Sequence, residues 1–382
     1  MNDEITEARK KRLRRVRLKR LRALLLFVVL FALTVFGINS VTRTTFSDIS
    51  DFFGSVFAEN SGYPCDLGNT LPVKVCGMKN AYSVLTADEL IVKSGKGAEL
   101  LRASHDLVSA DIDSSGNRTV LYNRGSRDLY IYNRTSLLTE ISTASPIVDG
   151  TISENGTVVM LTESDRHLCQ MEIYKNGMYD NVMTWYSSTG FPVMCAVSDN
   201  GTKAVSACVD LIDGKICTIL TLIDVASVSE RMSVTVSGII YDMKVFSDGK
   251  ILAITDEGAY NISSNGNIDS FADFSFTPVI RISFGNNCFA VAFGDNTRNS
   301  ENYIDFFDYS CGFLFRIEDC YAVKDILFTG KNIAILGNGV LNIYNIQGNV
   351  VFSAEISRDI FKIMDYYGII ALSPQSAERI NT

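Results

Sequence analysis

Residues 145–156 read SPIVDGTISENG, and residues 190–201 answer with GFPVMCAVSDNG. Each phrase is a proline, an apolar alternation and a Ser-x-Asn-Gly turn. Asn-Gly after a period-2 run is a strong hairpin signal, because both residues accept the positive φ that a tight turn between twisted strands demands. The turn recurs at Gly116 (DIDSSGN) and Gly249 (FSDGK), and in weaker form at Gly285 and Gly330, so the intervals are 40, 45, 48, 36 and 45 residues. A second phrase, an apolar strand ending in a glycine turn, is interleaved with the first at Gly95, Gly177, Gly266, Gly312 and Gly348. Two hairpins per repeat of this length are the content of a four-stranded propeller blade.

One unit reads as strand a in PIVDGTIS, strand b in VVMLTE, strand c in CQMEIY and strand d in MYDNVMTW. Strand a starts near Val108, Ile147, Val193, Ile240, Val279, Val323 and Phe361. The expected fold class is therefore all-β, a β-propeller of seven four-stranded blades. The last unit runs out after three strands, and the first, Ala81 to Ser104, lacks a strand a. If those fragments complete one blade between them the count is seven; if each forms its own blade it is eight.

The N-terminus has a different composition. Ten basic residues lie between Arg9 and Arg22, and the uncharged run ALLLFVVLFALTVFGI follows at Ala23 to Ile38. Such a run approaches the roughly 20 residues a bilayer requires of a helix. A long basic flank without a nearby A-x-A-like cleavage site predicts a signal anchor rather than a cleaved leader. The positive-inside rule keeps residues 1–22 in the cytoplasm, uses residues 23–41 as the span in the lipid bilayer of the cell membrane, and places the remainder outside. Residues 42–80 read as a juxtamembrane linker. Within it TFSDISDFFGSVFAE puts Phe46, Ile49, Phe52, Phe53, Val56 and Phe57 on one helical face, to lie on a bilayer or pack on the domain at 81–382.

Beyond residue 22 the chain has 25 basic and 40 acidic residues. Such a surface repels phosphates, so nucleic acid is not an expected partner. The nine cysteines are odd in number and form no C-x-x-C pair; Cys65 with Cys76 and Cys311 with Cys320 are the pairs closest in sequence. His105 and His167 are the only histidines, in no metal-ligand spacing, and Walker, G-x-G-x-x-G and G-x-S-x-G motifs are missing. Asp111 to Gly116 begins like a calcium loop, yet Tyr122 stands where its bidentate Glu belongs, so it reads as an a–b turn. No catalytic residue, cofactor or metal is expected.

VSDNGTKAVSA and FSDGKILAIT resemble the turns of TolB-like and WD40-like propeller repeats, without the Trp-Asp signature of true WD40 blades. SGYP at Ser61 to Pro64, VLYNRG at Val120 to Gly125 and WYSSTGFPVMCAVSDNGTK at Trp185 to Lys203 resemble an uncharacterised family of single-pass membrane proteins from clostridial Firmicutes. The resemblance implies a bacterial cell-surface propeller and brings no activity with it.

In a four-stranded blade the a–b and c–d turns share one face of the disc, and the b–c and d–a connections share the other. Here the first set repeats and the second varies, and variable loops on a rigid scaffold are where binding groups concentrate. The candidate binding residues are Arg124, Arg127, Asp165, Arg166, Trp185, Tyr186, Phe191, Asp295 and Arg298. The functional expectation is a membrane-anchored extracytoplasmic module that binds or scaffolds a protein or envelope polymer. The alternatives are a hydrolase or lyase with carboxylates converging on the central channel, and an envelope sensor.

Overall fold

A computed structural model describes residues 17–31, 34, 46–58, 62–68, 70–175, 179–275, 277–294, 302–318, 320, 322–330 and 332–380. The described chain divides into two units, residues 1–50 and 51–382. In the first, residues 17–31 are helical and Leu24, Leu25, Leu26, Phe27 and Phe31 are exposed. The rest of the expected span, apart from Thr34, lies outside the described residues, among which no helix is long and apolar enough to cross a membrane.

The second unit is a ring of eight sheets, each with four antiparallel strands. Blade 3 follows the quoted phrase: strand a is Ile147–Ile152, b Val158–Thr162, c Cys169–Tyr174 and d Asn181–Ser187. Strand a also opens blade 2 at Ala110, blade 4 at Phe191, blade 5 at Ile240, blade 6 at Val279, blade 7 at Asp325 and blade 8 at Lys362. The count is eight, because each terminal fragment finds its missing strand upstream, in the stretch read as linker. Lys74–Met78 is strand a of blade 1, and Cys65–Asp66 is the outer strand of blade 8, pairing with Ser376–Arg379. Both are hard to see in sequence: the first has Gly77 inside it, and the second is two residues long.

Apolar patterning explains the layering. Strands b such as Val158–Thr162 and Ile251–Thr255 are buried at every position, as befits strands covered on both faces, whereas strands d such as Leu137–Ser142 alternate. The core is accordingly divided among the blade interfaces. Val159, Leu161 and Met171 of blade 3, for example, pack on Ala204, Cys208 and Ile223 of blade 4.

The repeated turn is itself a joint. Gly156 and Gly201 have φ of 82° and 66°, and each donates its N–H to the serine three residues back. The turns also bond to one another around the a–b face: Lys79 N–H to the Gly116 carbonyl, Glu154 N–H to the Asp199 carbonyl, and Asn155 Nδ2 to the Asn200 carbonyl. A Cβ on Gly201 would lie 2.3 Å from Asn155 Oδ1, so the close approach requires glycine as much as the φ does.

The helix Phe46–Phe57 spans the boundary between the units, and its Asp51 belongs to the second. Asp51 is fully buried and accepts hydrogen bonds from Arg134 Nε at 2.9 Å and Nη2 at 2.7 Å; Arg134 also donates to the Lys79 carbonyl. Arg134 lies in the c–d turn of blade 2, so the chain enters the ring on the face of repeated turns. The buried contact is thus polar, while Phe52, Phe53, Val56 and Phe57 are exposed. Arg134→Met should leave the Asp51 carboxylate without its partner. Because Asp51 can escape to water by undocking, the expected cost is about 1–2 kcal/mol, seen as faster protease cleavage in residues 51–61 with little change in the melting of the ring. Unchanged cleavage would show that the pair does not hold the helix.

Candidate functional site at the channel mouth

The first strands of successive blades are neighbours around the axis, so strand a lines the channel. A charged residue falls within the first three positions of that strand in seven blades: Lys74, Asp111, Asp149, Asp242, Arg281, Asp325 and Lys362. In blades 3, 5 and 6 it directly follows a register shift in the a–b pairing, and such bulges re-aim side chains. Strand a begins after the d–a connection, so these charges ring the mouth on the variable face.

Several of them are committed to holding blades together. Asp149 accepts from Tyr122 OH at 3.0 Å, Arg124 Nη2 at 3.2 Å and the Cys195 N–H at 2.9 Å, tying blades 2, 3 and 4. Asp113, one turn of the pleat deeper, accepts from Thr151 Oγ1 and the Ile152 N–H of blade 3, and Asp325 accepts from the Ile363 N–H and Lys362 Nζ of blade 8. Asp111 pairs with Lys74 at 2.7 Å and Arg124 at 2.6 Å. The calcium-like stretch is thus strand and turn, as its register predicted.

The environment separates these carboxyls. Burial alone would raise Asp111, but Lys74 and Arg124 outweigh it and hold the group below the usual range. Burial pushes Asp113 and Asp149 up despite their donors. Asp242 is pushed up to about 6 by burial and by the charges of Asp113 and Asp149, with its hydrogen bond from the Met243 N–H and the charge of Lys74 acting against the shift. Asp242 belongs to blade 5 and the others to blades 1 to 3, so these groups interact across the channel. Burial and Asp113 raise the Cys76 thiol to about 12, which leaves it protonated and inert. Among the described residues no His, Cys, Asp and Glu group is arranged to hold a metal ion.

Of the residues expected to bind, Arg124 is part of this mouth, paired with Asp111 and Asp149. Arg127, Asp165 and Arg166 are exposed. Trp185 and Tyr186 are neighbours on an outer strand and therefore point to opposite faces. Trp185 packs half-buried against the core between blades 3 and 4 and donates its indole N–H to Glu230 at 2.9 Å. Tyr186 is exposed and holds the His167 ring at 4.9 Å, and Phe191 is 68% exposed. Asp295 and Arg298 lie outside the described residues.

The hairpin of blade 4 carries one of the variable connections that the sequence marks, Asp210 to Lys215 (DLIDGK). Its strands, Lys203–Ile212 and Lys215–Asp224, have ten residues each against five or six for strands b and c of blades 1 to 3. They are joined by Asp213 and Gly214, both with positive φ. The b–c hairpin projects from the variable face with Leu211, Ile212 and Ile216 exposed. Its signal was present as an apolar alternation too long for a blade.

No curated protein matches the sequence. Among solved structures, the chain is similar to Saccharomyces cerevisiae Sqt1, at 10% identity and a TM-score of 0.62 over 85% of this chain and 100% of that one. It is also similar to a eukaryotic initiation factor, at 12% identity and a TM-score of 0.55 over 80% of this chain and 82% of the other. At such identities the likeness concerns the fold. The model of a family of unknown function, DUF5711, matches residues 60–381, and the chain belongs to that family.

Proposed function

We propose that the protein is a membrane-anchored, extracytoplasmic binding or scaffolding module that takes a protein or envelope-polymer partner on its variable face. The observation that carries this reading is the contrast between the faces. One is joined turn to turn, whereas the other carries the charged mouth and the apolar groups Tyr186, Phe191, Leu211, Ile212 and Ile216. Exposed aliphatic and aromatic groups rimmed by charge are the composition of an interaction site. The anchor rests on the basic and apolar runs at residues 9–38 and on the exposure of the described helix.

Crosslinking in cells with the anchored protein, followed by identification of what is attached, tests it. Phe191→Ala combined with Leu211→Asp and Ile216→Lys should reduce partner recovery at least tenfold, while Asn286→Lys on the opposite face leaves it unchanged. Equal recovery from both variants would refute the reading. A second reading, a hydrolase or lyase, is favoured by Asp242, whose carboxyl is raised near neutrality beside Asp113, Asp149 and Lys74. It requires that Asp242→Asn abolish turnover on a polymer while partner capture persists.

A further inference from the structure

We propose that Cys169 and Cys208 form a disulfide that clips blade 3 to blade 4 beneath the variable face. Their sulfurs are 3.5 Å apart, and they are the one pair among the nine cysteines in mutual contact. The pairs closest in sequence do not meet: Cys65 contacts Tyr82 OH, Cys76 the Ile112 carbonyl, Cys311 the Ala259 carbonyl and Cys320 the carbonyls of Ile317 and Glu318. Cys169 is the first residue of strand c in blade 3, and Cys208 lies in strand b of blade 4, where its backbone faces Pro192 and Ile219. Both thiols belong to the one core at the interface of blades 3 and 4. A disulfide needs sulfurs about 2.05 Å apart, so an approach of about 1.5 Å is required.

The chemistry is thiol–disulfide exchange with a small-molecule or protein disulfide. Either thiol can donate in their shared hydrogen bond; with Cys208 as donor, and the Ser187 N–H beside it, the Cys169 thiol is pulled below its usual range. Cys169, which adjoins the exposed loop Glu163–Leu168, is the attacking thiolate in this proposal. It attacks one sulfur of the oxidant, forming a mixed disulfide and releasing one thiolate. Cys208 then loses its proton and attacks the Cys169 sulfur, expelling the second thiolate. Two protein thiols are oxidised and one disulfide is reduced to two thiols. Cys169 and Cys208 are buried, so the exchange requires the loop Glu163–Leu168 to open; all of its residues but Ser164 are exposed, and it ends one residue before Cys169.

The bond would fix two loops of the variable face. The blade 3 loop with Asp165, Arg166 and His167 precedes Cys169, and the projecting hairpin rises from Val209. This consequence rests on the binding reading above; the bond itself does not.

The full-length protein, purified in detergent under reducing conditions, is exposed to oxidised glutathione, denatured, alkylated and digested. The expected result is a peptide pair linked through Cys169 and Cys208, seven alkylated cysteines in place of nine, and a melting temperature raised by several degrees that dithiothreitol reverses. Cys208→Ala, a small apolar replacement suited to the core, should lose both the link and the shift. Nine alkylated cysteines after oxidation, or links dominated by other pairs, would overturn the proposal. Partner capture by the crosslinking assay is read separately, so loss of capture with the bond intact condemns the binding reading alone.

Discussion

A chain beginning at residue 69 is expected to lose the closed ring, whereas one beginning at Asp51 keeps it. The last blade supplies only three strands, Lys362–Asp365, Ile369–Leu372 and Ser376–Arg379. Its fourth comes from the other end of the chain, through Cys65 opposite Ala377 and Asp66 opposite Ser376, continued by the Leu67 N–H to the Gln375 carbonyl at 2.9 Å. Leu67 is fully buried, in the core that also holds Tyr82 and Ile91 of blade 1 and Met364 and Ile370 of blade 8. Truncating such a leucine to alanine alone costs about 2–5 kcal/mol. Losing the strand as well unpairs the edge at Ser376–Arg379 and removes a group that ties both ends of the circle. Against a total of about 5–15 kcal/mol for a typical domain, that loss is decisive. The shorter chain should melt at least ten degrees lower or aggregate through its open edge. Leu67→Asp, which puts a charge in the same core, should behave in the same way. A chain from residue 69 that melts with the cooperativity of the longer one would show that blades 1 and 8 close without this strand.

The sequence made six blades readable because their turns need glycine, asparagine and serine at fixed places. The strands of blade 3 fall within three residues of their expected starts, and strand a within one, since Pro146, Asn155 and Gly156 mark both of its ends. Blade 1 hid its strand a because, although Pro72 precedes KVCGM, the turn that follows it, Lys79-Asn80, lacks the glycine that marks the other a–b turns. The joining strand was invisible for a deeper reason: its pairing is set by 310 residues of intervening chain, and two residues hold no period. The charged mouth was legible in part. VDG, YDM, IRI and FKI all place a charge inside an apolar strand, and a charge there should be read as channel-facing. What local pattern could not supply was which charges meet across the axis. Trp185 shows the converse, since it stands beside a variable loop while the alternation of its strand packs it half-buried against the blade of Glu230.

The same mouth leads to the second large expected effect, that Asp242→Asn stabilises the protein at neutral pH. The Asp242 carboxyl is raised to about 6, chiefly by burial and then by the neighbouring charges of Asp113 and Asp149. In the unfolded chain an aspartate titrates near 3.9. Between those two values the native state binds the extra proton, so unfolding free energy falls as pH rises through roughly 4 to 6. Above that window the ionised group costs up to about 3 kcal/mol, from the difference of about two pH units. Asparagine removes the charge and keeps the oxygen that accepts the Met243 N–H at 2.8 Å. The variant should therefore melt several degrees above wild type at pH 7.5, with the difference closing toward pH 4. Asp149→Asn separates this from a general relief of negative charge. Its carboxyl is also raised by burial, but both of its oxygens accept, from Tyr122, Arg124 and the Cys195 N–H. An amide nitrogen facing one of those donors leaves a buried group unpaired, at about 1–3 kcal/mol. One substitution at the mouth should thus stabilise and the other destabilise at the same pH. A loss of stability in Asp242→Asn at pH 7.5 would mean that Asp242 is paired with a cation strongly enough to outweigh its burial.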